Sequence, residues 1–205
     1  MRVIVCDTYE EMSKEAAKIM AAQVHLKPNC VLGLATGSTP VGAYNELADM
    51  YKKGEIDFKD VTTFNLDEYY PIEKDNDQSY YYFMHDNLFN KINIPEERIH
   101  ILNGKAQDPE KECKDYDMHI EEHGGIDLQL LGIGRNGHIA FNEPDENLVS
   151  GTHVTGLTDD TIDANARFFA DIKDVPTKAL TMGMASIMKS KTILILINGK
   201  GKHAA

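Results

Sequence analysis

Residues 126–133, Ile-Asp-Leu-Gln-Leu-Leu-Gly-Ile, make an almost continuous apolar run. A strand that does not alternate polar with apolar is covered on both faces, the situation of a central strand in a parallel sheet. Parallel neighbours require crossovers, usually helices, between them. The rest of the chain supplies both parts. Strand-like runs fall at 2–6, 31–35, 61–66, 99–102 and 192–197. Helical patterns fall at 9–26, 40–53, 79–92 and 109–122, the first with Met12, Ala16, Ile19 and Met20 on one apolar face. Pro40 suits a first helical position, Gly54 a stop, and Gly124-Gly125 another. The pattern predicts an α/β fold: an open, mostly parallel sheet with helices on both faces, a Rossmann-like three-layer arrangement. At 205 residues, with no internal repeat and no Pro/Gly/Ser-rich linker, it is expected to form a single domain.

Ligands of such sheets sit beyond the carboxyl ends of the strands. Three polar clusters fall there: residues 36–39, 65–69 and 134–143. Charge narrows what they can bind. Thirty-three acidic against 21 basic residues leave a net charge of −12, which repels polyanions and argues against nucleic-acid or anionic-membrane partners. A small anion remains accessible, because local cations and backbone N–H groups dominate at short range. No apolar run approaches the roughly 20 residues of a membrane helix. The first residues, Met-Arg-Val-Ile-Val-Cys-Asp, lack a secretory pattern, so a cytoplasmic location is expected. Cys6, Cys30 and Cys113 are widely spaced, which suggests neither disulfides nor a zinc knuckle. Cys6 and Cys30 are expected in the core, Cys113 as a surface or half-buried thiol.

In Ala35-Thr36-Gly37-Ser38-Thr39-Pro40, Gly37 permits close backbone approach, the hydroxyls donate, and the free N–H groups at a helix start favour an anion. No Walker lysine is present, so a phosphorylated metabolite fits better than ATP; a plain N-cap turn is the alternative. In Phe64-Asn65-Leu66-Asp67-Glu68-Tyr69, neighbouring carboxylates of a continuing strand point to opposite faces. One can then face the site as a general base while the other is structural, and a solvated turn is the bland reading. Gly132, Gly134 and Gly137 match G-x-G-x-x-G, but Asn142-Glu143-Pro144 interrupts the helix a dinucleotide site requires. His138 is the better bearer of chemistry there, a proton shuttle with Glu143 close enough in sequence to hold its other ring nitrogen. A structural histidine in a glycine turn is the competing reading. His119-Ile120-Glu121-Glu122-His123 fits H-x-x-E-H, yet it lies on a charged helix without an evident third ligand, so no metal is expected.

Taken together, Gly-Leu-Ala-Thr-Gly-Ser-Thr-Pro from Gly33, Thr-Phe-Asn-Leu-Asp-Glu-Tyr from Thr63 and Gly-His-Ile-Ala-Phe-Asn-Glu-Pro from Gly137 resemble the glucosamine-6-phosphate deaminase family. Asn-Ala-Arg-Phe-Phe from Asn165 and Gly-Lys-Gly-Lys from Gly199 resemble it too. The resemblance implies a cofactor-free enzyme of amino-sugar catabolism that turns glucosamine 6-phosphate and water into fructose 6-phosphate and ammonia. It implies that His138 opens the sugar ring, that Glu143 and Asn136 orient or tune His138, and that Asp67 carries a proton from C2 to C1. Gly37, Ser38, Thr39, Arg167 and Lys202 would hold the phosphate. Many relatives place Asp where Asn136 stands; an amide can orient but carries no charge. Allosteric relatives bind an acetylated sugar phosphate through basic residues after the Asn-Glu-Pro phrase. Asp145, Glu146, His153 and Thr155 occupy that stretch here, so no activation is expected, and a monomer rather than a hexamer. A flap over the site is expected at about residues 150–175, and the chain is expected to lack the family's C-terminal end. The alternatives are a 6-phosphogluconolactonase-like hydrolase, which would not need Asp67, and a non-catalytic sugar-phosphate sensor.

Overall fold

The computed structural model describes residues 1–158, 162, 171 and 175–205. Helix α1 (Tyr9–Leu26) starts where the Thr8 side chain accepts the Glu11 N–H at 3.1 Å, the usual role of an N-cap hydroxyl. Then follow β1 (Val31–Leu34), α2 (Ser38–Lys52), β2 (Thr62–Asn65), β3 (Asp67–Tyr70), α3 (Tyr80–Asn87), β4 (Ile99–His100), α4 (Pro109–Glu122) and β5 (Leu128–Leu131). The chain continues through β6 (His153–Gly156), β7 (Lys178–Thr181), α5 (Met184–Met188) and β8 (Thr192–Ile195).

Strands β4-β2-β1-β5-β8 form one sheet in which every pairing is parallel. β1 and β5 lie at its centre, fully buried as their apolar runs require. Their side chains alternate between two cores. Leu32, Leu34, Leu128 and Leu130 pack with Ala16, Met20, Val24, Tyr44 and Leu47 of α1 and α2. Val31 and Leu131 pack on the other side with Phe64 and with Cys113, Tyr116 and Ile120 of α4. The expected α/β arrangement, with helices on both faces of a mostly parallel sheet, is the one observed.

Several boundaries differ from expectation. Residues 2–6 form no strand; Val3 and Val5 are 72% and 87% exposed. Apolar β-formers make a strand only against a partner ladder, and among the described residues none pairs with this segment. Strand-like run 61–66 ends at Asn65, and Asp67 opens β3 in a different sheet. That second sheet, β3-β7-β6, is antiparallel throughout. Leu66 is the pivot: its N–H still donates to Leu34 of β1 at 3.0 Å, while its carbonyl accepts from Met182, just beyond β7, at 2.7 Å. Helix α2 starts at Ser38 rather than Pro40, and α3 stops at Asn87 with a single 3-10 turn, Phe89–Lys91, after it. Cys113 is buried against the sheet rather than exposed, and Cys6 is only half-buried. Among the described residues, no helix is long and apolar enough to cross a membrane.

Candidate active site

The loop after β1 is held by its own backbone geometry and by hydrogen bonds from two tyrosines. Gly37 sits at φ 95°, in the left-handed region, and leads into α2 with no side chain capping the helix start. A residue with a Cβ is strained there, and the uncapped N–H groups of Ser38 and Thr39 are the anion-seeking end of a 15-residue helix. Two tyrosines hold the loop from behind. The Tyr44 hydroxyl donates to the Ala35 carbonyl at 2.6 Å and accepts the Ala35 N–H at 3.2 Å. The Tyr9 hydroxyl donates to the Ser38 carbonyl at 3.0 Å and accepts the Gly42 N–H at 2.8 Å. From the end of β8, Asn198 accepts the Thr39 hydroxyl at 3.1 Å. The 3-10 turn Lys200–Lys202 follows it, and the Lys202 ammonium donates to the Ile133 carbonyl after β5. Burial and the charge of Arg135 hold the Lys202 amine below its usual range. Lys202 and Arg135 thus join the phosphate-type loop in one cationic corner.

Asp67 and Glu68, neighbours at the start of β3, have opposite surroundings. Glu68 accepts the Tyr69 and Tyr80 N–H groups through Oε1 at 2.8 and 2.9 Å, and the Tyr81 N–H through Oε2 at 2.9 Å. The Asp67 carboxylate, 6% exposed, accepts no hydrogen bond among the described residues. Burial and the charge of Glu68 push its pKa up to about 8, because an undonated carboxylate in a low dielectric resists ionising.

The third segment is a glycine turn closed by Gly134 N–H donating to the His138 carbonyl at 2.8 Å, with Gly137 at φ 95°. The His138 ring lies directly over Gly134, where an added Cβ would meet ring atoms at 2.3 Å. Asn136 donates to Glu143 at 2.6 Å and accepts the His138 N–H at 3.2 Å. The His138 Nδ1 stands 3.8 Å from Glu143 Oε2, an electrostatic approach that is too long for a hydrogen bond. Burial lowers the His138 pKa, Glu143 opposes that, and Lys202 adds to it. The net direction is down, so the imidazole is neutral at neutral pH.

These segments are tied to one another. Thr181 of β7 pairs with Asp67 in the antiparallel ladder, and its hydroxyl accepts the Phe141 N–H at 3.1 Å. Asn142 donates to the carbonyls of Ile139 at 3.0 Å and Met182 at 2.9 Å. The rings of Tyr69, Tyr80 and Phe141 pack together behind this joint. The small sheet therefore fixes the histidine loop to the strand that bears Asp67. Of the residues expected from sequence, Gly37, Ser38, Thr39, Asp67, Asn136, His138, Glu143 and Lys202 lie on this set of connected loops; Arg167 lies outside the described residues. Most of the expected flap lies outside them as well, although β6 runs through its start. Sequence reasoning missed Asn198, Thr181 and Tyr44, whose only local mark is a polar side chain near a strand end or helix start.

H-x-x-E-H of α4 is elsewhere. Its histidines gather with His100 of β4, ring centroids 5.3 to 6.3 Å apart, beside a cleft of about 400 Å³. Among the described residues no three His, Cys, Asp or Glu side chains are placed to hold a metal.

The family described as glucosamine-6-phosphate isomerases/6-phosphogluconolactonase matches residues 7–205. The chain belongs to this family. A glucosamine-6-phosphate deaminase of Thermoanaerobacter sp. (strain X514) is 59% identical over all 205 residues, which span 81% of that protein. One from Clostridioides difficile (strain 630) is 58% identical over the whole chain and 82% of its own length. Among solved structures, a monomeric glucosamine-6-phosphate deaminase superposes with a TM-score of 0.96 at 48% identity, covering 98% of this chain and 84% of that one. The 6-phosphogluconolactonase of Thermotoga maritima, at 24% identity and a TM-score of 0.74 over 98% and 85% of the two chains, shares the fold.

Proposed function

We propose that the chain is a glucosamine-6-phosphate deaminase, converting glucosamine 6-phosphate and water to fructose 6-phosphate and ammonia. The observation that carries this is 58–59% identity to deaminases along its entire length, with the lactonase likeness confined to the fold. Neutral His138 accepts the anomeric hydroxyl proton and returns it to the ring oxygen, breaking the C1–O5 bond. Asn136 fixes the turn through the His138 main-chain N–H and bonds Glu143, whose charge lies beside the imidazole. Asp67 then removes the proton from C2, and the electron pair forms a C1–C2 double bond as the C1 carbonyl oxygen takes up a proton given up by the substrate's own ammonium group. The same carboxyl returns its proton to C1, leaving an iminium at C2. Water adds there and ammonia departs, which leaves the ketone. The ring-opening and C2-to-C1 transfers are met by an imidazole and a carboxylate, and the substrate ammonium serves the C1 oxygen, so the sequence as written needs no metal or cofactor. Gly37, Ser38, Thr39, Lys202 and Arg167 hold the phosphate.

Ammonia release from glucosamine 6-phosphate tests this. Asp67→Asn and His138→Gln should each lower kcat by about 10²–10⁴ while the variants still bind the sugar phosphate. A folded parent that binds the sugar phosphate without releasing ammonia would sink the reading. The protein acts as a monomer in this proposal, supported by the monomeric relative, so specific activity should not change with enzyme concentration.

A further inference from the structure

We propose that Glu68 is a positioning residue for Asp67: its carboxyl group, clamped by three main-chain N–H groups, fixes the strand that carries the base and, once ionised, sets a negative charge next to it in the chain. The proposal rests on the reading of Asp67 as the base.

Glu68 is 1% exposed, and burying a carboxylate that deeply is costly unless it is satisfied. It is satisfied entirely by main chain. Oε1 takes its own strand's Tyr69 N–H and the Tyr80 N–H, and Oε2 takes the Tyr81 N–H. The last two belong to the first turn of α3, where a negative charge is favoured. Ser79 already caps that helix, accepting the Tyr82 N–H at 2.9 Å. Glu68 is therefore not needed as its only cap. What it adds is a joint between α3 and the first residues of β3, one peptide away from Asp67. A neutral amide would not replace it, since one oxygen cannot serve three convergent donors and an NH2 would face an N–H.

The charge matters because no cation among the described residues acts on Asp67. Around Asp67 the titratable groups among the described residues are Glu68 and Tyr69 on its own strand, Tyr44 from α2, Tyr80 from α3 and Tyr116 from α4. Burial holds all four phenols above their usual range, so they stay neutral. Burial also raises Glu68, but its three N–H donors oppose that, whereas Asp67 has no such donors among the described residues. Once ionised, Glu68 opposes the ionisation of its neighbour. A base that abstracts a carbon-bound proton gains from this, because its proton affinity comes near the working pH.

The test reads the Asp67 carboxyl by 13C NMR titration, with its signal assigned by loss in Asp67→Asn. No turnover is required, so failure of the deaminase reading in the ammonia assay is separable from failure here. In the parent, Asp67 should titrate well above the ordinary carboxylate range. In Glu68→Gln its midpoint should fall by about one unit, a tenfold loss of proton affinity, and the acid limb of kcat should move to lower pH with it. Glu68→Asp retains the charge and should keep the parent midpoint even if kcat falls. An unmoved midpoint in Glu68→Gln would make Glu68 a structural anchor only. Should Glu68→Gln fail to fold, a parent midpoint near pH 4, or a collapse to that value in Glu68→Asp, overturns the proposal.

Discussion

His138 is held by what lies beneath it as much as by its partners. The imidazole rests on Gly134, where even one methyl group would intrude to 2.3 Å of the ring. The backbone at Gly134 is not in the left-handed region, so alanine there adds bulk without adding backbone strain. Gly134→Ala should therefore displace the ring while leaving the loop's 134–138 closure intact. A misplacement of about 1 Å at a reacting group costs about 10²-fold in rate. We expect kcat for ammonia release to fall by about that factor with little change in Tm. Wild-type turnover in Gly134→Ala would mean that the ring has room the structure does not show.

At the scale of elements, the loop between β1 and α2 depends on Tyr44, whose hydroxyl serves both polar groups of Ala35. Tyr44 is wholly buried in the α1–α2 core, so Tyr44→Phe keeps the packing and strands two backbone groups. Leaving a buried donor or acceptor unpaired costs about 1–3 kcal/mol. The expected result is a stability loss in that range by denaturant titration and a higher KM for the sugar phosphate, with kcat less affected. The central strands were legible in sequence because β1 and β5 are buried on both faces and carry almost continuous apolar runs. The second sheet was not: β2 and β3 are contiguous in sequence, and only their hydrogen-bond partners separate them. β6, His-Val-Thr-Gly, is short and largely polar, which leaves no pattern to read. The site shows the same division. Asp67 and His138 stand in loops whose composition betrays them, whereas the Thr39–Asn198 contact spans 159 positions and no local pattern encodes it.

For the whole molecule, the site and the scaffold pull stability in opposite directions as pH changes. Asp127, at the start of the β5 run, is pushed up by burial, yet bonds from Lys191 at 2.7 Å, Lys27 at 2.7 Å and the Val31 N–H at 2.8 Å win and hold its carboxyl low. A depressed carboxyl stabilises above its unfolded value, near 4, and that contribution is lost as pH falls further. Asp67 has the opposite sign. Its pKa, up to about 8 in the fold, means the folded state holds the proton more tightly than the unfolded chain. Its contribution is complete below about pH 4 and is lost as pH rises through about 8. Glu68, raised to about 7, acts in the same direction. The protein should therefore be most stable on the acid side of neutrality and lose Tm between about pH 4 and 8. Asp67→Asn replaces the group with one that never ionises. It should match the parent near pH 4 and exceed its stability at pH 8 or 9 by about 2 kcal/mol or more, while releasing ammonia far more slowly. Thermal melts of both proteins across that range decide the matter: parallel curves would mean that Asp67 is an ordinary ionised carboxylate, and diverging ones that the fold gives up stability at the residue it uses as a base.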